Sequence, residues 1–378
     1  MIKSKTIVEP PVNGVLNLSS RVTYLCTGTA GFIGSAFVKY MLEKYPNVQI
    51  VTLDALTYAG NPENLSPTLQ GWKEGTGLRS FLIKGDIGDQ TLVKNIFKMY
   101  NPDYVINFAA ESHVDRSILD PQLFIDTNVR GTVNLLQCCK DAWMFGREWA
   151  DKKFIQISTD EVYGALGKEG FFTETTPLNP HSPYAASKAS ADMIVKAFHD
   201  TYGMPVNITR CSNNYGPRQM PEKLIPLVIN NCLHHKELPV YGDGQQIRDW
   251  LYVYDHCKAI DMVVDNGRPG EVYNIGGHNE RTNLQIIHEI IHYMSEKLGD
   301  PEINEGLIRH VEDRLGHDRR YGIDPTKITN ELGWYPETAF EDGIIKTIDW
   351  YLDNPEWLAH ATSGQYADYY KHMYETRV

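Results

Sequence analysis

Thr27-Gly28-Thr29-Ala30-Gly31-Phe32-Ile33-Gly34 is the stretch whose reading decides the fold. It follows the apolar, β-rich run 22–26 and opens a segment of helical periodicity over 33–44. Glycines spaced Gly-x-x-Gly-x-x-Gly let the chain turn tightly and bring its backbone close to a diphosphate, which then rests on the N-terminus of the following helix. The spacing is a shifted form of the G-x-G-x-x-G fingerprint of dinucleotide-binding βαβ units.

Outward from that turn, strand-like and helical runs alternate. Strands are expected at 22–26, 49–53, 80–84, 104–108, 154–158 and 206–210, and helices at 33–44, 90–99, 122–143 and 184–201. Such alternation means parallel βαβ crossovers and an α/β fold: a Rossmann-like, doubly wound parallel sheet that binds ligands at the carboxyl ends of its strands. From about 211 prolines punctuate the chain, and a helix is expected over 224–235. A strand at 271–275 returns to the sheet, and helices at about 283–298, 325–332 and 341–352 describe a smaller, mostly helical C-terminal lobe. The expected organisation is a flexible leader over 1–20 and a cofactor domain over 21–210 with a returning segment at about 245–277. A substrate lobe would comprise 211–244 and 278–358, followed by a tail over 359–378.

The strand ends refine the cofactor reading. Asp54 closes the second strand, 20 residues after Gly34. A carboxylate there hydrogen-bonds the adenosine ribose and repels a 2′-phosphate, so NAD is expected over NADP. Asp86 and Ile87, after the third strand, are placed to hold the adenine edge, and Ala109 and Ala110, after the fourth, leave room for a close-lying cofactor.

Composition narrows the function classes. At 378 residues with 42% hydrophobic and 22% charged residues, the chain reads as an ordinary globular enzyme with a sizeable core. A net charge of −12 argues against a nucleic-acid partner, and any anionic substrate must be met by local Arg and Lys. No apolar run approaches the roughly 18 residues that span a bilayer. Lys3 and Lys5 lead into Glu9-Pro10-Pro11 with no apolar stretch, so secretion is not expected. The six cysteines form no C-x-x-C pair and suit reduced, buried thiols in the cytoplasm.

Two further stretches carry chemistry. Ser158-Thr159-Asp160-Glu161-Val162-Tyr163-Gly164 places a hydroxyl and two adjacent carboxyls just after the apolar run 154–157. Simple hydride transfer needs one proton shuttle; two further acid/base groups at the same sheet mouth point to additional proton movements, as in elimination of water. Tyr184-Ala185-Ala186-Ser187-Lys188 sets Tyr and Lys at i and i+4, on one helix face. The ammonium, with a positive nicotinamide, is expected to lower the tyrosine pKa so that its phenolate takes an alcohol proton.

With these stretches in view, the chain resembles the extended short-chain dehydrogenase/reductase superfamily and, within it, the dTDP-glucose 4,6-dehydratases. The resemblance runs from about residue 21 to beyond 350. It rests on TGTAGFIGS (27–35), LTYAGN (56–61), FAAESHVDRSI (108–118), STDEVYG (158–164) and YAASKAS (184–190). It continues through CSNNYGP (211–217), PEKLIPL (221–227), IRDWLYV (247–253), YNIGGHNE (273–280) and GHDRRYGID (316–324). Thr29 departs from the family pattern where a further glycine is common, and Arg218-Gln219-Met220 where an aromatic often follows YGP.

The resemblance implies a catalytic set of Thr159, Asp160, Glu161, Tyr184 and Lys188. Tyr184 would deprotonate the sugar 4-hydroxyl, with Thr159 bonding that oxygen, as NAD accepts hydride from C4. Glu161 would remove the acidified C5 proton and Asp160, held protonated, would protonate the departing 6-hydroxyl before hydride returns to C6. The cofactor contacts implied are Gly28, Gly31, Phe32, Ile33 and Gly34 in the turn, and Asp54, Ala55, Leu56 and Thr57 after the second strand. Asp86, Ile87, Ala109, Ala110, Ser112 and Thr127 join them, with Tyr184 and Lys188. Implied substrate contacts are Ser112, Thr159, Asn213, Lys223 and Leu224, then Pro239, Tyr241, Arg248 and Asn283, and finally Arg314 and His317. Arg248 and Arg314 would neutralise the diphosphate. A homodimer packed through two long helices, 122–143 and 184–201, is implied as well.

Competing readings remain. His288-Glu289-Ile290-Ile291-His292 matches the zinc-protease signature H-E-x-x-H. Ile286, Ile287, Ile290, Ile291 and Met294, however, form the core-facing stripe of that helix, so no metal site is expected. A nucleotide-sugar 4-epimerase would share the fold, NAD, Tyr and Lys but has no need of the Asp160–Glu161 pair. A non-catalytic NAD sensor would need none of the four side chains.

Overall fold

The computed structural model describes residues 22–66, 79–144, 149, 151–313 and 316–363; the expected leader and residues 364–378 of the expected tail lie outside them. Its strands are β1 (Val22–Thr27), β2 (Val48–Asp54), β3 (Ser80–Lys84), β4 (Tyr104–Asn107), β5 (Lys153–Thr159) and β6 (Val206–Cys211). They continue with β7 (Asn213–Tyr215), β8 (Leu238–Tyr241), β9 (Ile247–Tyr252), β10 (Val272–Ile275), β11 (Glu280–Thr282) and β12 (Ile308–Val311).

Among the described residues seven strands pair in the order β10-β6-β5-β4-β1-β2-β3, every neighbour parallel. Every residue of β1 and β5 is buried, as expected of strands covered on both faces. On one face Phe37 and Met41 of the helix Phe32–Lys44 pack with Ile260 and Val263 of the helix Val253–Asn266. On the other, Val93 and Phe97 of Gln90–Tyr100 meet Leu135 and Cys139 of Thr132–Met144 and Val195 of Pro183–Tyr202. The chain winds outward from β1 in one direction and from β4 in the other. The carboxyl ends of these two strands therefore flank the crevice where a doubly wound sheet binds ligand.

The second part of the chain packs around Ile225, Val228, Ile286, Ile290, Phe340 and Ile348. Its helices are Leu224–Leu233, Asn283–Leu298, Phe340–Asp353 and Pro355–Ala361. It also holds a three-stranded sheet, β11-β9-β7, and the pair β12-β8, beside the expected helices. Within 245–277, β9 joins that small sheet, whereas the helix Val253–Asn266 and β10 pack on the large one.

Local chemistry sets the element ends. The helix Pro183–Tyr202 starts where Ser182 Oγ accepts from Ala185 N at 3.1 Å, with Pro183 in the first turn, and stops at Gly203, φ 67°. The helix expected over 224–235 ends at Leu233, because His234 Nδ1 bonds the Asn230 carbonyl and His235 turns left-handed at φ 50°. The helix expected over 122–143 is three pieces: Pro121–Phe124, a π-helical run Ile125–Gly131 and Thr132–Met144. At the end of the middle piece the Asn128 carbonyl accepts from Thr132 Oγ1 at 2.7 Å, and a Cβ on Gly131 would lie 2.6 Å from Ile87 Cδ1.

In the H-E-x-x-H segment the isoleucines and Met294 are buried, His288 Nδ1 pairs with Glu305 at 3.0 Å, and the His292 side chain is 85% exposed. Among the described residues no three His, Cys, Asp or Glu side chains cluster in a way that could hold a metal. All six cysteines are buried and unpaired. No described helix is long and apolar enough to cross a membrane.

Candidate active site

The glycine turn is shaped by close backbone approach. Gly28 has φ 65°, and a Cβ there would lie 2.5 Å from Ala109 N. A Cβ on Gly34 would lie 2.6 Å from the Gly28 carbonyl oxygen. The turn is tied to its neighbours by Thr27 Oγ1, which donates to Asn107 Oδ1 at 2.7 Å and accepts from Ala109 N at 3.3 Å. Asp54 Oδ2 accepts from Ala30 N and Oδ1 from Leu56 N, both at 2.8 Å. The carboxylate expected to meet the ribose therefore also fixes the two loops around it, and burial pushes its pKa up.

A cavity of about 310 Å³ runs from this turn past the ends of β1, β4 and β5. The expected cofactor residues Gly28, Gly31, Phe32, Ile33 and Gly34 line it, as do Asp54, Ala55 and Thr57. Asp86, Ile87, Ala109, Ala110, Ser112 and Thr127 line it too, so the residues brought together have the cradle and the ribose-side carboxylate that a dinucleotide requires. Leu56 is absent from the lining; it contributes its N–H to Asp54 and packs against the core. Asp86 is exposed and spends one oxygen on Gly88 N at 2.6 Å.

The same cavity holds the residues expected to be catalytic: Thr159, Asp160, Glu161, Tyr184 and Lys188 line it. β5 ends at Thr159, whose Oγ1 caps the short turn Asp160–Tyr163 by accepting from Glu161 N at 3.3 Å, and contacts Asp160 Oδ1 at 3.3 Å. Asp160 is 2% exposed, and its Oδ2 has no hydrogen-bond partner. Burial first, then the charges of Glu161 and Asp249, push its pKa well up, against the pull of Arg248. Its neutral, protonated form is favoured accordingly.

Tyr184, second in its helix, lies within electrostatic reach of Thr159, and its ring meets Phe124 edge-on at 6.3 Å. Lys188 lies one turn on, buried, with Nζ donating to the Ile157 carbonyl at 2.6 Å. Without the nicotinamide charge on which the expected acidification of Tyr184 depends, its surroundings act in the other direction. Burial first, then the Glu161 charge, raise its pKa, and Thr159 opposes them only in part. Burial also lowers the pKa of Lys188, opposed by Asp192 one turn further along. Asp192 Oδ2 accepts from Ser158 Oγ at 3.0 Å and from Arg210 Nε at 2.9 Å, and Arg210 donates to Tyr163 Oη at 2.9 Å. The acid turn, the tyrosine helix and β6 are thus held in one buried network.

The expected substrate residues fall into two places. Ser112, Thr159, Asn213 and Lys223 line the cavity; Leu224, Pro239, Tyr241, Arg248, Asn283 and His317 do not. Several of the latter gather around β8: Tyr241 meets His317 edge-on at 6.1 Å, and Asn283 N donates to the carbonyl of Gln246. Gln246 in turn reaches Tyr241 O at 3.5 Å and Asp313 Oδ2 at 3.3 Å, and Asp313 Oδ1 bonds His317 Nδ1 at 2.6 Å. Pro239 sits in β8 opposite Arg309 of β12. Arg248 is buried, donates to the carbonyls of Ile247 at 2.8 Å and Asp318 at 3.0 Å, and lies 4.3 Å from the Tyr321 ring centre. Arg314 lies outside the described residues.

Sequence reasoning passed over Glu111, Asn214 and Glu222, all of which line the cavity. Asn214 Oδ1 is held at 2.9 Å by Nδ1 of His256, a buried ring whose pKa burial lowers to about 3. Glu111 and Glu222 are buried carboxyls, both with pKa raised by burial. The motifs FAAESHVDRSI and PEKLIPL contain these two acids, but nothing in their local spacing shows that the fold brings them together.

Comparison with known proteins places the chain. The family model described as GDP-mannose 4,6 dehydratase matches residues 25–347. The dTDP-glucose 4,6-dehydratase of Xanthomonas campestris pv. campestris (strain ATCC 33913) is 51% identical over 348 residues, covering 91% of this chain and 97% of that protein. The crystal structure of dTDP-glucose 4,6-dehydratase from Bacillus anthracis in complex with NAD superposes with TM-score 0.79 at 47% identity, covering 90% of this chain and 99% of that one. A dTDP-glucose 4,6-dehydratase from Streptomyces venezuelae with NAD bound gives TM-score 0.80 at 43% identity, covering 90% and 100%. Likeness of this degree, in sequence and in fold alike, makes the chain a member of the GDP-mannose 4,6 dehydratase family of extended short-chain dehydrogenases/reductases, in the branch of the dTDP-glucose 4,6-dehydratases.

Proposed function

We propose that this enzyme converts dTDP-glucose to its 4-keto-6-deoxy derivative, acting as a hydro-lyase in deoxysugar biosynthesis with NAD as its cofactor. The observation that carries the reading is the turn Thr159-Asp160-Glu161, set against Tyr184 in the cavity that also holds the glycine turn. A bound nicotinamide supplies reversible hydride storage, taking hydride from C4 and giving it back at C6.

The remaining steps belong to the chain's own groups. Tyr184 takes the 4-hydroxyl proton while Thr159, beside it at the cavity wall, steadies that oxygen. Because burial keeps Tyr184 protonated in the resting protein, its ionisation must be drawn out by positive charge from Lys188 and the bound cofactor. The new ketone acidifies C5–H, and Glu161 removes that proton and returns one to C5 when hydride adds at C6. Asp160, kept protonated by burial beside Glu161 and Asp249, gives its proton to the departing 6-hydroxyl. A 4-epimerase would never break the C6–oxygen bond and would have no task for Asp160.

Asn213, Lys223 and Leu224 are proposed to hold the sugar end with Ser112, and Pro239, Tyr241, Arg248, Asn283, Arg314 and His317 the nucleotide diphosphate. Residues 21–210 with the returning segment would form the cofactor domain and 211–244 with 278–358 the substrate lobe. The free buried thiols suit the reducing cytoplasm. A homodimer is supported by exposed apolar side chains on adjoining elements: Leu119, Leu123, Ile125 and Val133 on 114–144, and Met193 on the tyrosine helix.

The test is turnover of dTDP-, UDP- and CDP-glucose in parallel in deuterium oxide, followed by NMR. The expected product from dTDP-glucose is the 4-keto-6-deoxy sugar with deuterium at C5. Recovery of a C4 epimer with protium at C5 would reject the dehydratase reading.

A further inference from the structure

Tyr58 lies in the loop that leaves β2, beside the proposed cofactor contacts Ala55, Leu56 and Thr57. Its hydroxyl donates to Glu222 Oε1 at 3.0 Å, across 164 residues of chain. The Arg116 guanidinium lies 3.8 Å from the centre of the Tyr58 ring, and Arg116 Nε is 3.9 Å from Glu222 Oε2. His113 Nε2 stands 4.0 Å from that same oxygen, and the Glu222 side chain is 2% exposed. Next to Glu222, Lys223 Nζ donates to the Ser112 carbonyl at 3.3 Å.

These contacts are made at the cavity wall. Thr57, Ala59 and Gly60 line the cavity on the Tyr58 side, and Glu222 and Lys223 line it on the other. The ends of the Tyr58 loop are fixed as well. Leu56 N is held by Asp54 Oδ1 at 2.8 Å, Asn61 N by the Ala30 carbonyl at 3.0 Å, and Asn64 Nδ2 by that same carbonyl at 2.8 Å. The loop is therefore a strap anchored at its start to the end of β2, at its close to the cofactor turn, and in its middle to Glu222.

We infer that Tyr58, Arg116 and Glu222 form a latch that holds this strap over the bound dinucleotide and keeps it in place through the catalytic cycle. The inference rests on the NAD-dependent reading above. That chemistry gives the latch its purpose: the hydride taken from C4 must return to C6 of the same sugar, so a cofactor that left between the two steps would strand the ketone. Opening the strap breaks a hydrogen bond to a buried carboxyl and lifts an arginine from an aromatic face, both of which raise the barrier to release.

The experiment is exchange of bound NAD for radiolabelled NAD in the holoenzyme, with no nucleotide sugar present. Tyr58→Phe keeps the ring beneath Arg116 and removes only the hydroxyl; its exchange is expected to be about tenfold faster, the effect of one such hydrogen bond. Arg116→Met keeps the tyrosine–glutamate bond and should give a smaller acceleration, and it serves alone if Tyr58→Phe does not fold. Thr282→Ala, which removes the N-cap of the helix Asn283–Leu298, is the control for general loosening. Exchange at the wild-type rate in both latch variants overturns the inference, as does an acceleration that Thr282→Ala reproduces. A wild-type protein that holds no NAD brings down the functional reading, and the latch with it.

Discussion

Asp160 and Glu161 are sequence neighbours with different surroundings: the first is sealed in the wall of the cavity and the second is half-buried. Burial beside two other carboxyls fits Asp160 to give a proton, and the assignment divides the reaction at a point that can be observed. Asp160→Asn should still exchange C5 hydrogen of bound substrate with solvent but fail to eliminate water. Glu161→Gln should do neither. Each should lower kcat by about 10²–10⁴-fold, the usual weight of one acid/base group. Deuterium content of recovered substrate, read by mass spectrometry, separates the two; C5 exchange in Glu161→Gln would contradict its role. The residues proposed for catalysis were legible as candidates because each sits in a short motif whose chemistry is local, and the fold brings them to one cavity. The burial that opposes ionisation of Tyr184 was not, since it depends on packing against Phe124 and its neighbours, which no local spacing shows.

At the scale of elements, the long helices and the sheet strands follow from periodicity, and the strand ends differ from expectation by a residue or two. The β7-β9-β11 and β8-β12 pairings escaped notice because their three- to six-residue strands are too short to show alternation, and their partners are distant in sequence. The contact between β7 and the helix Val253–Asn266 was equally hidden. It carries the pair Asn214–His256 and leads to a pH prediction. His256 stays neutral in the fold down to about pH 3, whereas an unfolded histidine protonates near 6.5. Its burial therefore contributes fully above pH 6.5 and is lost as pH falls from there toward 3, at about 1.4 kcal/mol per unit. Buried carboxyls such as Glu111 and Glu222 act in the opposite sense and cancel in a comparison of variants. Melting temperature should thus fall less steeply between pH 6.5 and 4 in His256→Asn than in the wild type. Equal slopes in a fluorimetric pH series would show that the ring is protonated in the fold.

For the whole molecule, the proposed homodimer would bury the exposed apolar side chains on 114–144 and on the tyrosine helix. Leu119 is 62% and Met193 57% exposed, more than isolated surface residues of that kind require. The double substitution Leu119→Glu with Met193→Glu is expected to shift the protein from dimer to monomer in sedimentation velocity while leaving the far-UV circular dichroism unchanged. A wild-type protein that sediments as a monomer at micromolar concentration would rule the dimer out.

The order in which the large sheet is assembled has its own consequence. Its outermost strand, β10, is synthesised only after β7, β8 and β9 have been made, yet it pairs with β6. A nascent chain leaving the ribosome therefore carries β6 with an open edge until the residues of β10 emerge. Over that interval it offers a template to any other extended polypeptide nearby. Truncation before residue 272 would make that temporary hazard permanent, so one short strand made late in synthesis guards the solubility of the large sheet.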